Sequence, residues 1–346
     1  MQNPLFDDTP PEGEPETRSA SKPPRTARVG ATVHDDGELG ALASALPSHL
    51  WLGTSSWTYP GWDGLVWDGM YSDAVLSRQG LGPYSAHPLL RTVCLDRAFY
   101  RPLSASQYAA FAAQVPDDFR FVVKAPGVVT DAMVRGEGGK GMQVNPAFLD
   151  PVLAVQDFVQ PALEGLGHKT GALVFQLSPL PPHLLGAMAD VLQRLKALLL
   201  ALPSLAGTAP DGVVAVEVRD RQFLTPDFVD VLRDAGATFC LGLHAKMPLI
   251  EDQLPVLRAL WPGPLVCRWN YNRLHGAYGY EDAEKLYAPF NRMMDADLQT
   301  RSALARVIAG TIGARQKAYV TISNKAEGSA PLSVIALARE VAGLRS

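Results

Sequence analysis

A glutamate and an arginine two positions apart, Glu217 and Arg219, end the β-rich run VVAVEVR (213–219). Side chains alternate along a strand, so both share a face with Val213 and Ala215, opposite Val214, Val216 and Val218. The same parity groups Cys94 with Asp96 in TVCLD (92–96), Arg120 and Val122 with Lys124 in FRFVVK (119–124), and Val174 with Gln176 in ALVFQL (172–177). It also groups Cys240 and Gly242 with His244 in TFCLGLH (238–244), and Val266 and Arg268 with Asn270 in LVCRWN (265–270). Each of these faces ends in a polar or charged group at the C-terminal end of its run. Such groups are costly to bury unless they are paired or face a wet site. Carboxylates mixed with cations suit general acid/base chemistry on a small polar or anionic substrate, which makes Glu217, Lys124 and Asp96 the catalytic candidates. Arg219 and Arg268 would hold carboxylate or phosphate oxygens and stabilise developing negative charge. Gln176, Asn270 and Asn324 would read hydroxyls or amides. The competing reading makes Glu217, Arg219 and Arg268 an ion network that closes the top of the fold.

The first run, LWLGTSS (50–56), leads into WTYPGWDG, where Trp57, Tyr59 and Trp62 offer aromatic faces able to stack on a planar ligand or to pack the loop onto the core. A second aromatic cluster, Phe99-Tyr100-Arg101, follows Asp96. Trp57, Tyr59 and Tyr100 complete the set of substrate-binding candidates. Signals for other chemistry are weak. There is no Gly-x-Ser-x-Gly elbow, no phosphate loop and no His-Glu-x-x-His pattern. No cofactor and no metal centre is expected, and the weaker alternative is a divalent metal held by Asp96, Glu217 and His244.

These residues need elements to carry them. With AYVTIS (318–323), the runs number eight, and helical stretches lie between several of them: Gln107–Ala113, Pro182–Ala201 and Pro226–Ala235. The last has Thr225 as its cap and stops before Gly236. Eight strands alternating with helices predict a single parallel (β/α)8 barrel, an α/β fold of the triosephosphate-isomerase type. In that fold the C-terminal ends of the strands form the mouth where catalytic groups gather. A doubly wound open sheet is the runner-up, but no Gly-x-Gly-x-x-Gly follows the first strand.

The chain has 346 residues, of which 47% are hydrophobic and 19% charged, enough apolar material for one large core. Residues 1–47 are expected to be a disordered Pro- and acid-rich tail and 48–346 the barrel. Six prolines lie in the first 28 residues, and the tail's excess acid accounts for the whole net charge of −4. A neutral body argues against nucleic acid as a partner and leaves a small molecule. No apolar run is long enough to span a membrane, and the N-terminus lacks the pattern of a secretory signal. Cys94, Cys240 and Cys267 all fall within apolar runs without metal-like spacing. Three buried free thiols in a reducing compartment follow, so the expected location is cytoplasmic.

LGTSSWTYPGW, FRFVVKAPGVVT, LVFQLSP, VAVEVRD, VCRWN and VTISNKAEGSA, in that order, resemble the YecE-like family, the domain of unknown function 72. The resemblance covers residues 50–346 and implies a barrel of the same type, with no established activity. Trp57, Tyr59, Tyr100, Lys124, Gln176, Glu217, Arg219, Arg268 and Asn324 match the family pattern. Cys94 stands where that pattern has glutamate, Asn270 where it has histidine, and Asp131 where it has the histidine of a Thr-His pair. The chain therefore resembles a divergent member. It is expected either to be an enzyme with a changed substrate (an isomerase, lyase or hydrolase) or to be a ligand-binding or scaffold protein that has lost catalysis.

Overall fold

Each of the eight β-rich runs forms a strand in the computed structural model, which describes residues 28–34, 37–135, 142–276 and 280–345. In chain order these are β1 (Leu50–Thr54), β2 (Thr92–Leu95) and β3 (Arg120–Lys124), followed by a short antiparallel pair, β4 (Met133–Arg135) and β5 (Met142–Val144). β6 (Thr170–Gln176), β7 (Val213–Glu217), β8 (Thr238–Leu243), β9 (Leu265–Trp269) and β10 (Ala318–Ile322) follow. All but β4 and β5 join one closed barrel in the order β1-β10-β9-β8-β7-β6-β3-β2. Closure is made by β1, which pairs in parallel with β10 from Leu50↔Ala318 to Thr54↔Ile322 and with β2 at Gly53↔Thr92. An open doubly wound sheet has no such first-to-last pairing, so the barrel stands. The β4–β5 pair was not legible in advance, because three residues per strand are too few to establish a period.

Parity separates the two surfaces of the barrel wall. Trp51, Cys94, Val122, Ala172, Val174, Val213, Ala215, Cys240, Val266 and Tyr319 form one buried cluster inside it. Residues of the opposite parity, including Phe121, Val123, Phe175, Val216 and Leu241, join the larger core beneath the helices. All three cysteines are buried and free, with Cys267 on the helix side. At the N-terminal end the barrel is plugged by Trp51, which stacks on Tyr319 at 4.7 Å and donates its indole N–H to the Asp118 carbonyl. Arg120 lies over the same indole and pairs with Asp211 at 2.8 Å. Gly53 is required where β1 meets β2, since a Cβ there would sit 1.7 Å from the Thr92 carbonyl oxygen.

The helices follow local sequence chemistry. Ser104 and Gln107 form a reciprocal capping box that starts Ala105–Ala112. Thr225 caps Pro226–Asp234, and Gly236 ends it with a φ of +65°. The stretch expected as one helix over 182–201 is two, Pro182–Leu185 and Met188–Leu200, broken at Gly186-Ala187. Val191, Leu195, Leu198 and Leu199 bury one face of the longer piece. Among the described residues no helix is long and apolar enough to cross a membrane.

The expected tail boundary at residue 47 is too late. Residues 1–27 lie outside the described residues, but Val29 is buried and Thr32 N–H donates to the Val66 carbonyl. Glu38–Ala45 is helical and packs on the last helix, Ala330–Gly343, with a Glu38–Arg339 pair at 2.6 Å. Leu39 provides its buried anchor.

Candidate functional site

Glu217 ends β7 on the inward face and is 0% exposed. Its Oε2 accepts a hydrogen bond from Arg268 Nη1 of β9 at 2.6 Å, and its Oε1 lies 2.6 Å from Arg219 Nη1. Asn270 Nδ2 also donates to Oε1, at 3.3 Å. Gln176, paired in register with Glu217 on the neighbouring strand, accepts from Arg219 Nη2 at 2.9 Å and from Arg268 Nη1 at 3.0 Å. Gly242 on β8 leaves the volume this carboxylate occupies, since a Cβ there would lie 3.2 Å from Oε1. Arg268 continues to Asp96, with Nη2 donating to Oδ1 at 2.9 Å, and the Cys94 thiol donates to the same oxygen. Burial alone would push the Glu217 carboxyl up. The Arg219 and Arg268 charges overcome it and hold the group down to about 2, so it is ionised at neutral pH.

Lys124 ends β3 on the same inward face and is 9% exposed. Its Nζ sits 3.3 Å from the centre of the Phe99 ring. No carboxylate among the described residues comes within ion-pair distance of it. Burial, reinforced by Arg268 and Arg219, lowers its ammonium to about 8 against the opposing pull of Asp96 and Glu217. Burial likewise lowers His244, at the end of β8, to about 4; its Nδ1 accepts from the Lys246 N–H. The mouth thus holds a buried carboxylate compensated by two guanidinium groups and one amine that has no ion-pair partner among the described residues.

Seven of the residues singled out from sequence meet here: Asp96, Lys124, Gln176, Glu217, Arg219, Arg268 and Asn270. Asp96 is the outermost carboxylate of the network, with 38% of its side chain exposed. Tyr100 stands at the rim, 82% exposed, with its ring edge-on to Phe99 at 5.3 Å. The other aromatic candidates pack elsewhere. Trp57 is buried, donates to the Leu76 carbonyl and meets the Phe111 ring edge-on. Tyr59 packs against the Trp62 and Phe290 rings. Asn324 Oδ1 accepts from Trp62 Nε1 at 3.2 Å and from the Ala330 N–H at 2.8 Å, tying the loop after β1 to the last helix. Packing, the alternative open for the loop aromatics, is what the geometry realises at Trp57 and Trp62.

Two further polar groups lie beside the site: Ser178, which the sequence did not single out, and Asp131, noted there only as a departure from the family pattern. Asp131 follows β3, is partly buried and accepts a short hydrogen bond from Ser178 Oγ just beyond β6. Burial raises its carboxyl, while Ser178 and the charge of Lys124 pull the other way. Ser178 shares the parity of Gln176, so extending that face by one step would have found it. Among the described residues no three His, Cys, Asp or Glu side chains gather as a metal ion requires, and both Glu217 oxygens are engaged by guanidinium groups.

No curated protein matches the chain. Among solved structures, a DUF72 family protein from Thermotoga maritima MSB8 is similar with a TM-score of 0.54 and 19% identity, over 86% of this chain and 99% of that one. Another from Enterococcus faecalis V583 has a TM-score of 0.51 and 16% identity, over 84% of this chain and 95% of that one. At these identities the likeness concerns the fold, and the same barrel was reached above from its own strand pairing. The family model described as "Protein of unknown function DUF72" matches residues 51–345, and the chain belongs to that family.

Proposed function

We propose that the barrel mouth binds and turns over a small anionic substrate, with Lys124 as the reacting acid–base group. The observation that carries this reading is a buried amine at the C-terminal end of β3 with no carboxylate of the described residues within ion-pair distance. A buried cation without a counter-ion is costly to the fold, and a bound anion would supply the missing partner. Its ammonium, at about 8, can exchange a proton near neutral pH. Glu217 takes a different role from the general base expected of it. A carboxylate held at about 2 and bonded on both oxygens is a poor proton acceptor, so it acts by positioning Arg219 and Arg268. Asp96, at the outer edge of the network, is the carboxylate available to a water or a substrate hydroxyl.

A second reading has one specific observation behind it. Glu217, Arg219, Arg268 and Gln176 are paired with one another without a ligand, as in a non-catalytic binding barrel. A panel of small carboxylates and phosphates separates the two by thermal stabilisation of the full chain, followed by product detection by NMR for each compound that binds. Turnover lost in Lys124→Met supports the enzyme. Binding without product supports the second reading, and an absence of stabilisation by every anion removes both.

A further inference from the structure

We infer that Lys124 is a covalent catalyst that joins a carbonyl substrate as an imine, an inference that rests on the mouth being the substrate site. The geometry isolates one amine. Nζ lies over the face of Phe99, and the charges acting on it are those of Asp96, Arg268, Arg219 and Glu217, which are already paired with one another. A lysine whose only task was to hold an ion pair would be expected beside a carboxylate, and none lies within ion-pair distance among the described residues. An aromatic face takes no proton from a neutral amine and leaves its lone pair free for a substrate carbon. Toward the barrel interior, Val122 and Val174, the register partner of Lys124 on β6, belong to a buried apolar cluster. Lysines desolvated or placed near other cations are the ones that act as nucleophiles, because the neutral amine is then populated. The lowered ammonium of Lys124 agrees with this placement.

The chemistry balances without any redox partner. The neutral Nζ adds to the carbonyl carbon, the carbon–oxygen π bond breaks, and the oxygen takes a proton to give a carbinolamine. The remaining carbon–oxygen bond then breaks, the oxygen leaves as water with a second proton, and nitrogen loses its proton as the C=N bond forms. One amine and one carbonyl thus give one imine and one water. Asp131 carries the proton from nitrogen to the departing oxygen. Its carboxyl is raised by burial, it is held by Ser178, and it feels the charge of Lys124. Asp96 is less suited, since one oxygen already accepts from Arg268 and Cys94.

The test is reductive trapping on the full wild-type chain. Pyruvate, as an anionic carbonyl, and dihydroxyacetone, as a neutral one, are each added with sodium cyanoborohydride, and every lysine peptide is quantified by mass spectrometry. At pH 7 an amine with a pKa near 8 is neutral on the order of one part in ten, against less than one in a thousand for an ordinary lysine. Allowing for restricted access, Lys124 should be labelled roughly tenfold or more above the exposed Lys246 and Lys285. Labelling should rise with pH and level off above about 8, as Nζ loses its proton in the field of Asp96, Glu217, Arg219, Arg268, Cys94 and Asp131. Asp131→Asn should slow the trapping without abolishing it. Labelling of Lys124 no greater than that of the surface lysines, with both probes, overturns the imine. If pyruvate nevertheless stabilises the chain and that stabilisation is lost in Lys124→Met, the anion site stands and only the covalent step falls. Trapping by dihydroxyacetone but not by pyruvate keeps the imine and removes the preference for an anion.

Discussion

Arg268 Nη1 lies 2.6 Å from Glu217 Oε2, joining the ends of β9 and β7 across the glycine at position 242 of β8. Neither residue is more than 3% exposed, so each charge depends on the other for solvation. Glu217→Gln leaves Arg219 without its counter-charge and Arg268 with Asp96 alone. The expected cost is about 3–5 kcal/mol of unfolding free energy, the range found when one partner of a buried pair is removed. Chemical denaturation of the two proteins at pH 7 measures it, and a difference below about 1 kcal/mol would refute the anchoring role of Glu217.

The same pair has a pH signature. The folded Glu217 carboxyl is depressed to about 2 from an ordinary 4.5, so its contribution is fully present above the higher value and lost as pH falls through the lower. The stability gap between wild type and Glu217→Gln should therefore be constant from pH 7 to 5 and narrow between pH 5 and 2. Denaturation midpoints across that range check the sign. A gap that widened on acidification would show Glu217 to be protonated in the fold.

Lys124 works against the fold in the opposite window. Its folded pKa, about 8, is below the ordinary 10.5, so the penalty is complete below pH 8 and fades as pH rises toward 10.5. Lys124→Met should stabilise the protein by roughly 1–3 kcal/mol at pH 7, with the gain shrinking above pH 8. Thermal melts at pH 7 and pH 10 make the comparison. A variant that gains stability and loses the substrate response would show that this lysine serves the site at the expense of the fold. Equal or lower stability at pH 7 would mean that the Phe99 contact compensates the charge.

The three cysteines should be silent in the native state. Burial pushes all three thiols up, and the Cys94 hydrogen also goes to Asp96. Titration with an aromatic disulfide reagent should register no rapid equivalents before denaturant and three after it. A thiol reacting quickly in native protein would place that cysteine at an accessible site.

The alternation of side chains along a strand is a local property, and it made much of the barrel legible from sequence. The polar ends of VVAVEVR, FRFVVK and LVCRWN face inward because parity carries Val213, Val122 and Val266 into the barrel interior with them. Thr225 and Gly236 marked their helix by chemistry confined to a few neighbouring residues. What each charged group meets is only partly local. Glu217 is held ionised by Arg219, its neighbour two positions on, and by Arg268, 51 residues away, and the second approach exists only because β9 lies two strands from β7 in the barrel. The surroundings of Lys124, which has no ion-pair partner among the described residues, likewise depend on Asp96 and Phe99 beyond β2 and on Arg268 of β9. Trp57 and Asn324 lie next to strand ends as the site residues do, yet the loop turns one into the helix layer and binds the other to Trp62. Residue type and period therefore determined which side chains could reach the mouth. Closure of the barrel decided which of them meet, because burial and Coulomb energies depend on neighbours distant in the chain.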